Sequence, residues 1–262
     1  MNILTAKVND IEMDYCKFGT GEKVFVIIPG LSLRSVMLSA GAVAVAYKQF
    51  TENYTVYLFD RRKNIAESYS VREMAHDTAE IMKSLGIKDA DIFGTSQGGM
   101  IAQFIAIDYP ELAHSIVLGS TCSRANDTIK CIINTWCGFA EKYDVKALNH
   151  SFFENVYSDA FLKKHGNALE FLESQGTLEE CDRFKVFAEA CADFNAYNEL
   201  EKVKCPALVL GAEQDKVLTA EASVELVEKL GCELYIYENF GHAVYDEAED
   251  YKDRIMNFMK KI

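Results

Sequence analysis

Six short apolar runs punctuate the chain: Val24 to Ile28, Thr55 to Phe59, Ala90 to Phe93, Ser115 to Leu118, Ala207 to Leu210 and Leu234 to Tyr237. Runs of this length, rich in β-branched residues and bounded by turn formers, read as strands covered on both faces. Between them the apolar period lengthens. Val71, Met74, Thr78, Ile81, Met82 and Leu85 keep helical spacing behind a Ser70/Glu73 capping box, with Gly86 just beyond the end. Strand alternating with helix predicts an α/β fold, a doubly wound and mostly parallel sheet with helices on both faces. Ile3 to Val8 and Ile11 to Phe18, separated by Asn9-Asp10, suit a hairpin that adds antiparallel strands at one edge. The expected total is about eight strands.

The alternation stops between residues 123 and 200. No strand run occurs there, and Thr128 to Lys142 and Asp159 to Gln175 have helical patterns. A segment this long is no ordinary loop. We read residues 1–122 and 201–262 as the core and 123–200 as a helical insertion after the sixth strand. Its aromatics, among them Trp136, Phe152, Phe161 and Phe187, are expected to form the insertion's own core, with a remainder able to line an apolar pocket. The acidic cluster Glu247 to Asp250 reads as the start of a final helix running to Ile262.

Composition narrows the role. The 262 residues are 49% apolar and 26% charged, so a globular chain with a sizeable core is expected. A formal net charge of -13 repels phosphate backbones and anionic lipid heads, which argues against nucleic-acid and membrane partners and leaves a small-molecule substrate. Eight cysteines are too few for a disulfide-stapled secreted domain. They read as reduced core thiols in a cytoplasmic protein, and no signal-peptide pattern or membrane-length apolar window is present.

Candidate chemistry begins directly after the run Ala90 to Phe93. Gly94-Thr95-Ser96-Gln97-Gly98 is a G-x-S-x-G element in strand-turn-helix context. Such a turn lifts a serine hydroxyl clear of the sheet, and its glycines allow close backbone approach. A serine needs a neutral imidazole to take its proton and a carboxylate to orient that imidazole. Of the five histidines, His76 falls within a helix, His114 precedes a strand, and His150 and His165 lie in the insertion. His242 follows the last strand, where sites of doubly wound sheets assemble. Asp215 stands likewise after Ala207 to Leu210, with Glu213 as the alternative acid. No H-E-x-x-H motif and no phosphate-loop lysine is present, so neither a metal nor a cofactor is expected.

On these residues the chain resembles the α/β-hydrolase superfamily over nearly its whole length, in particular its serine esterases and lactonases with a helical lid. The resemblance implies a triad in the chain order Ser96, Asp215, His242. It also implies an oxyanion hole from the backbone N–H of Gln97 and of Leu31, in the loop after the Pro29-Gly30 strand. Some relatives take the acid from the loop that here reads Gly119 to Ser123, which contains no carboxylate. Two positions depart from the usual pattern: Pro29-Gly30 replaces His-Gly, and Asp60-Arg61-Arg62-Lys63-Asn64 replaces D-x-R-G-x-G-x-S, predicting a differently shaped loop after Asp60. A serine nucleophile disfavours the aspartate- and cysteine-dependent branches.

The implied activity is hydrolysis of a carboxylic ester with a small or medium acyl group through an acyl-enzyme. Thioester, lactone or C–C bond cleavage remain open with the same residues, as does a non-catalytic ligand-binding role. Arg34, four residues past Gly30, is a candidate clamp for a substrate carboxylate. The sequence leaves the oligomeric state open.

Overall fold

The computed structural model describes all of residues 1–262. Eight strands form one sheet: β1 (Leu4–Val8), β2 (Ile11–Phe18), β3 (Lys23–Ile28), β4 (Tyr54–Arg62), β5 (Ala90–Thr95), β6 (Ala113–Gly119), β7 (Ala207–Ala212) and β8 (Glu233–Tyr237). Their spatial order is β1-β2-β4-β3-β5-β6-β7-β8. The first two pairings, β1 with β2 and β2 with β4, are antiparallel, and from β3 onward every pair is parallel. This is the expected doubly wound sheet with an N-terminal hairpin. At its turn Val8 pairs with Ile11, and Asn9 takes a φ of 53°. Residues of β5 and β7 are buried throughout, as strands covered on both faces must be, whereas β8 is the exposed edge.

The helices are α1 (Ala40–Ala46), α2 (Val71–Ser84), α3 (Gln97–Asp108), α4 (Asp127–Glu141), α5 (Val145–Val156), α6 (Asp159–Glu173), α7 (Leu178–Ala192), α8 (Ala220–Leu230), α9 (Val244–Glu247) and α10 (Tyr251–Met259). Two apolar clusters lie on opposite faces of the sheet, one beneath α2, α3, α8 and the insertion helices, the other beneath α1 and α10. Apolar all round, α3 is buried along nearly its whole length. Helix α2 starts at its Ser70/Glu73 capping box. Four helices, α4 to α7, fill the chain between β6 and β7, and their only bridge of strand type joins Arg124 to Asn195.

Chain connection places the site. From β3 the chain passes to β4 on one side, while β5 leads to β6 on the other. A crevice opens at the carboxyl ends of two neighbouring strands whose connections diverge. Residues 29–31 and Ser96 stand at that point.

Three expectations need correction. Strand β4 continues through Arg61 and Arg62 because β2 is long enough to pair with it, Met13 opposite Arg62 across a bulge, so the altered motif after Asp60 is partly strand. The final helix is two helices, broken at Ala248 to Asp250, and α10 ends at Met259. Five of the eight thiols are core residues, but Cys131 is exposed and Cys205 and Cys232 are half-buried.

Candidate active site

Ser96 sits between β5 and α3 with φ 51° and ψ -120°. A non-glycine residue in this region carries about 1–3 kcal/mol of strain and persists only where its surroundings enforce it. The enforcement is visible. The Ser96 N–H donates to the Gly119 carbonyl at 2.8 Å, and its own carbonyl accepts from Gly99, Met100 and the Thr121 hydroxyl at 2.9, 3.1 and 2.7 Å. The flanking glycines are needed for space. A Cβ on Gly94 would lie 2.2 Å from the Gly98 carbonyl oxygen, and one on Gly98 would lie 2.0 Å from that of Ile28.

Asp215 and His242 meet on the far side. The β7–α8 loop carries Asp215, whose Oδ1 accepts from the N–H groups of Val217 and Leu218 at 2.8 and 2.9 Å. Its Oδ2 lies 2.8 Å from Nδ1 of His242. Both residues are buried, at 7% and 3% exposure. Burial pushes the Asp215 carboxyl up, but the His242 charge, the imidazole hydrogen bond and the two backbone donors outweigh it and hold it below the usual aspartate range. An ionised carboxylate only accepts, so the imidazole turns an Nδ1 proton to it, which in the neutral ring leaves the lone pair on Nε2. Glu213 takes a different place: it accepts from the N–H of Asn239 at 3.3 Å, bracing the loop that bears His242 without reaching the imidazole. That loop is also tied to the insertion, the Ala243 N–H donating to the Val156 carbonyl at 2.8 Å.

Ser96 and His242 line one small cavity of 20 Å³ together with Leu31, Trp136 of α4, Val156 of α5 and Cys191 of α7. Gly30 packs so closely that a Cβ there would be 3.2 Å from Cβ of Ser96. Gln97 is the first residue of α3, and its N–H has no partner inside the helix. Leu31 lies in irregular backbone, its N–H free of backbone acceptors. The remaining histidines are elsewhere: His76 against the Tyr109 hydroxyl, His114 beside Asp89, His150 beside Glu173 and His165 stacked on Phe161.

A larger cavity of 520 Å³ adjoins the first, sharing Gly30, Leu31, Phe152, Val156 and Tyr245. Its further walls are largely apolar, including Leu33, Val43, Tyr47, Phe93 and Phe153. Arg34 lines it, with Nε 3.8 Å from Glu180. Sequence reading missed Arg61, a buried arginine whose Nη2 donates to the Pro29 carbonyl at 2.6 Å and whose Nε donates to the Gln97 side chain at 3.2 Å. The signal was the altered motif after Asp60. No cluster of three or more His, Cys, Asp or Glu side chains is arranged to hold a metal.

A strained serine at a strand-helix turn and a buried Asp–His pair opposite it, on a doubly wound sheet, define the α/β-hydrolase class. The family model described as serine aminopeptidase, S33 matches residues 39–249, and the chain belongs to that family of hydrolases. It is 23% identical over 234 residues to 3-oxoadipate enol-lactonase 2 of Acinetobacter baylyi, covering 86% of this chain and 84% of that one. It is 22% identical over 264 residues to a 2-hydroxy-6-oxononadienedioate/2-hydroxy-6-oxononatrienedioate hydrolase of a Pseudomonas species, covering 93% and 90%. Among solved structures, the α/β hydrolase MGS-M2 from a Medee basin deep-sea metagenome library superposes with a TM-score of 0.88 at 23% identity over 98% of this chain and 97% of that one.

Proposed function

We propose that this hydrolase cleaves carboxylic esters of small or medium acyl groups by a serine mechanism. Ser96 attacks the carbonyl as His242 Nε2 takes its proton, and Asp215 orients and stabilises the imidazolium. The oxyanion develops between the Leu31 and Gln97 N–H groups, each worth about 3 kcal/mol of barrier in comparable sites. The protonated imidazole then delivers its proton to the leaving oxygen, an acyl-Ser96 ester remains, and water activated by His242 releases the acid. The observation that carries this reading is the strained Ser96 sharing one cavity wall with His242, whose other nitrogen is held by a buried carboxylate.

The adjoining 520 Å³ cavity is the proposed acyl pocket, and its apolar walls favour a carbon chain. Residues 123–200 are the proposed lid, since α4, α5 and α7 each contribute a side chain to the cavity that Ser96 lines. A lactone is the second reading, favoured by the enol-lactonase relative, and it uses the same residues with the leaving alcohol still tethered. The eight unpaired thiols suit a reducing cytoplasm, and no helix is long and apolar enough to cross a membrane.

The test is turnover of 4-nitrophenyl esters from acetate to octanoate and of small lactones. Wild type should hydrolyse at least one series, and Ser96→Ala should lose at least ~10⁴-fold in kcat. Equal turnover by wild type and Ser96→Ala contradicts the reading.

A further inference from the structure

Beside the loop of Leu31 lies a third cavity of unlike chemistry. It measures 100 Å³ and shares Pro29, Gly30 and residues 32–35 with the apolar cavity, but its other walls are mostly polar: Asp60, Arg61, Gln97, Glu180 and Arg183. Three guanidinium groups and two carboxylates meet here, counting Arg34. Both carboxylates are engaged. Asp60 accepts from the Ser35 hydroxyl and from the Arg61 N–H. Glu180 accepts from the Thr177 N–H at 2.9 Å and lies 3.8 Å from Arg34. Arg183 donates to the carbonyls of Arg61, Arg62 and Lys63 at 3.2, 2.6 and 2.7 Å. Neither Arg61 nor Arg183 has a carboxylate oxygen within 4.0 Å of a guanidinium nitrogen.

Arg61 is the decisive group. It is 5% exposed, its Nε and Nη2 are occupied by Gln97 and Pro29, and its Nη1 is buried with no hydrogen-bond partner. Asp60, the nearest negative charge, attracts this guanidinium without pairing with it directly, and a buried arginine that keeps a free donor is costly and unusual. A carboxylate supplies what is missing, a negative charge and paired acceptors in the plane a guanidinium presents. The position also matters. Arg61 holds the side chain of Gln97, the residue after Ser96, and the carbonyl of Pro29, two residues before Leu31. The cavity walls thus include the residue after Ser96 and the loop on either side of Leu31.

We propose that this cavity is a subsite for a carboxylate on the substrate, so that the compound cleaved at Ser96 is an acid-bearing ester or lactone rather than a neutral one. The assignment rests on the hydrolase reading above and names its substrate class. Arg61 is the anchor, Arg183 adds positive potential, and Arg34, balanced by Glu180, is secondary.

The experiment compares 4-nitrophenyl half-esters of succinate, glutarate and adipate with the same compounds methylated at the free carboxyl. Wild type should prefer the free acid at least ten-fold in kcat/KM at one or more lengths, mainly through KM. Arg61→Gln should abolish that ratio and Arg61→Lys should restore part of it, while Arg72→Gln, at an α2 arginine paired with Asp108 and Glu199 and lining none of the three cavities, should keep it. Brisk turnover of the methylated esters without preference for any acid overturns the subsite and leaves the hydrolase reading standing. If no ester is turned over, the hydrolase reading fails first. Calorimetry of wild type with the three dicarboxylates, and with acetate, then decides. Dicarboxylate binding weakened ten-fold in Arg61→Gln supports the subsite. Failure of every acid to bind overturns it, as does acetate binding equally well, because the site would then serve a free anion.

Discussion

The β5–α3 turn and the insertion α4–α7 are built to opposite standards. Around Ser96 every neighbour is fixed. β5 and α3 are buried, Gly94 and Gly98 have no room for a side chain, and backbone hydrogen bonds hold the strained dihedral angles. The insertion is graded. Helices α4 and α7 bury Trp136, Phe184 and Phe187, whereas α6 buries no residue and leaves Phe171 68% exposed. The contrast teaches that the turn bearing Ser96 is confined on every side, while the insertion combines buried helices with an exposed one and so has more room for side-chain change.

The comparison is broken most sharply at the turn. Asp215→Asn should keep the fold but lose about 10⁴-fold in kcat, since the amide favours the wrong imidazole tautomer. Glu213→Gln, which loosens only the loop beneath His242, should stay within about three-fold of wild type. A reversal of those two results would move the orienting role to Glu213. Next in size is Gly98→Ala. Its Cβ would overlap the Ile28 carbonyl, and since backbone must shift, a loss of about 1–3 kcal/mol in unfolding free energy is expected together with a collapse of turnover.

The insertion is sharpened by a pair. Phe152 lines both the Ser96 cavity and the larger 520 Å³ cavity, whereas Phe161 of α6 stacks on Tyr157 at 4.4 Å and lines neither. Phe152→Ala should shift the preferred ester length with a change of about 10- to 100-fold in relative kcat/KM, and Phe161→Ala should leave the profile alone. If both behave alike across the ester series, the insertion does not select substrates through contact.

The smallest effect is in acid. The Asp215 carboxyl is held below its ordinary range when folded, so its contribution to stability is complete above about pH 4 and is lost as pH falls through the folded value. The thermal midpoint of wild type should therefore fall more steeply below about pH 4 than that of Asp215→Asn.

The fold was legible because its signals are local and agree. Apolar runs, the Ser70/Glu73 box and the Asn9-Asp10 turn each specify one element, and all point to one alternation. Ser96 was legible for the same reason, since the glycines around it are spaced by the turn itself. His242 and Asp215 could be placed only by their strand ends, because their meeting depends on chain 27 residues apart. Arg61 was not legible as a site residue. Which nitrogen of a buried arginine lacks a partner depends on Pro29 and Gln97, two segments whose proximity no local pattern encodes. The break in the last helix was hidden likewise, since Glu247 reaches across to the Ser158 N–H at 2.9 Å.

The central claim is that Ser96 is activated by His242, and covalent labelling tests it most directly. A serine at its ordinary reactivity does not attack a fluorophosphonate quickly, whereas a serine with a poised base does. The folded protein should take one adduct per chain, mapped by mass spectrometry to Ser96, and His242→Ala should slow labelling by at least ~10³-fold without unfolding. An unlabelled folded wild type, or equal labelling rates in wild type and His242→Ala, would contradict the account.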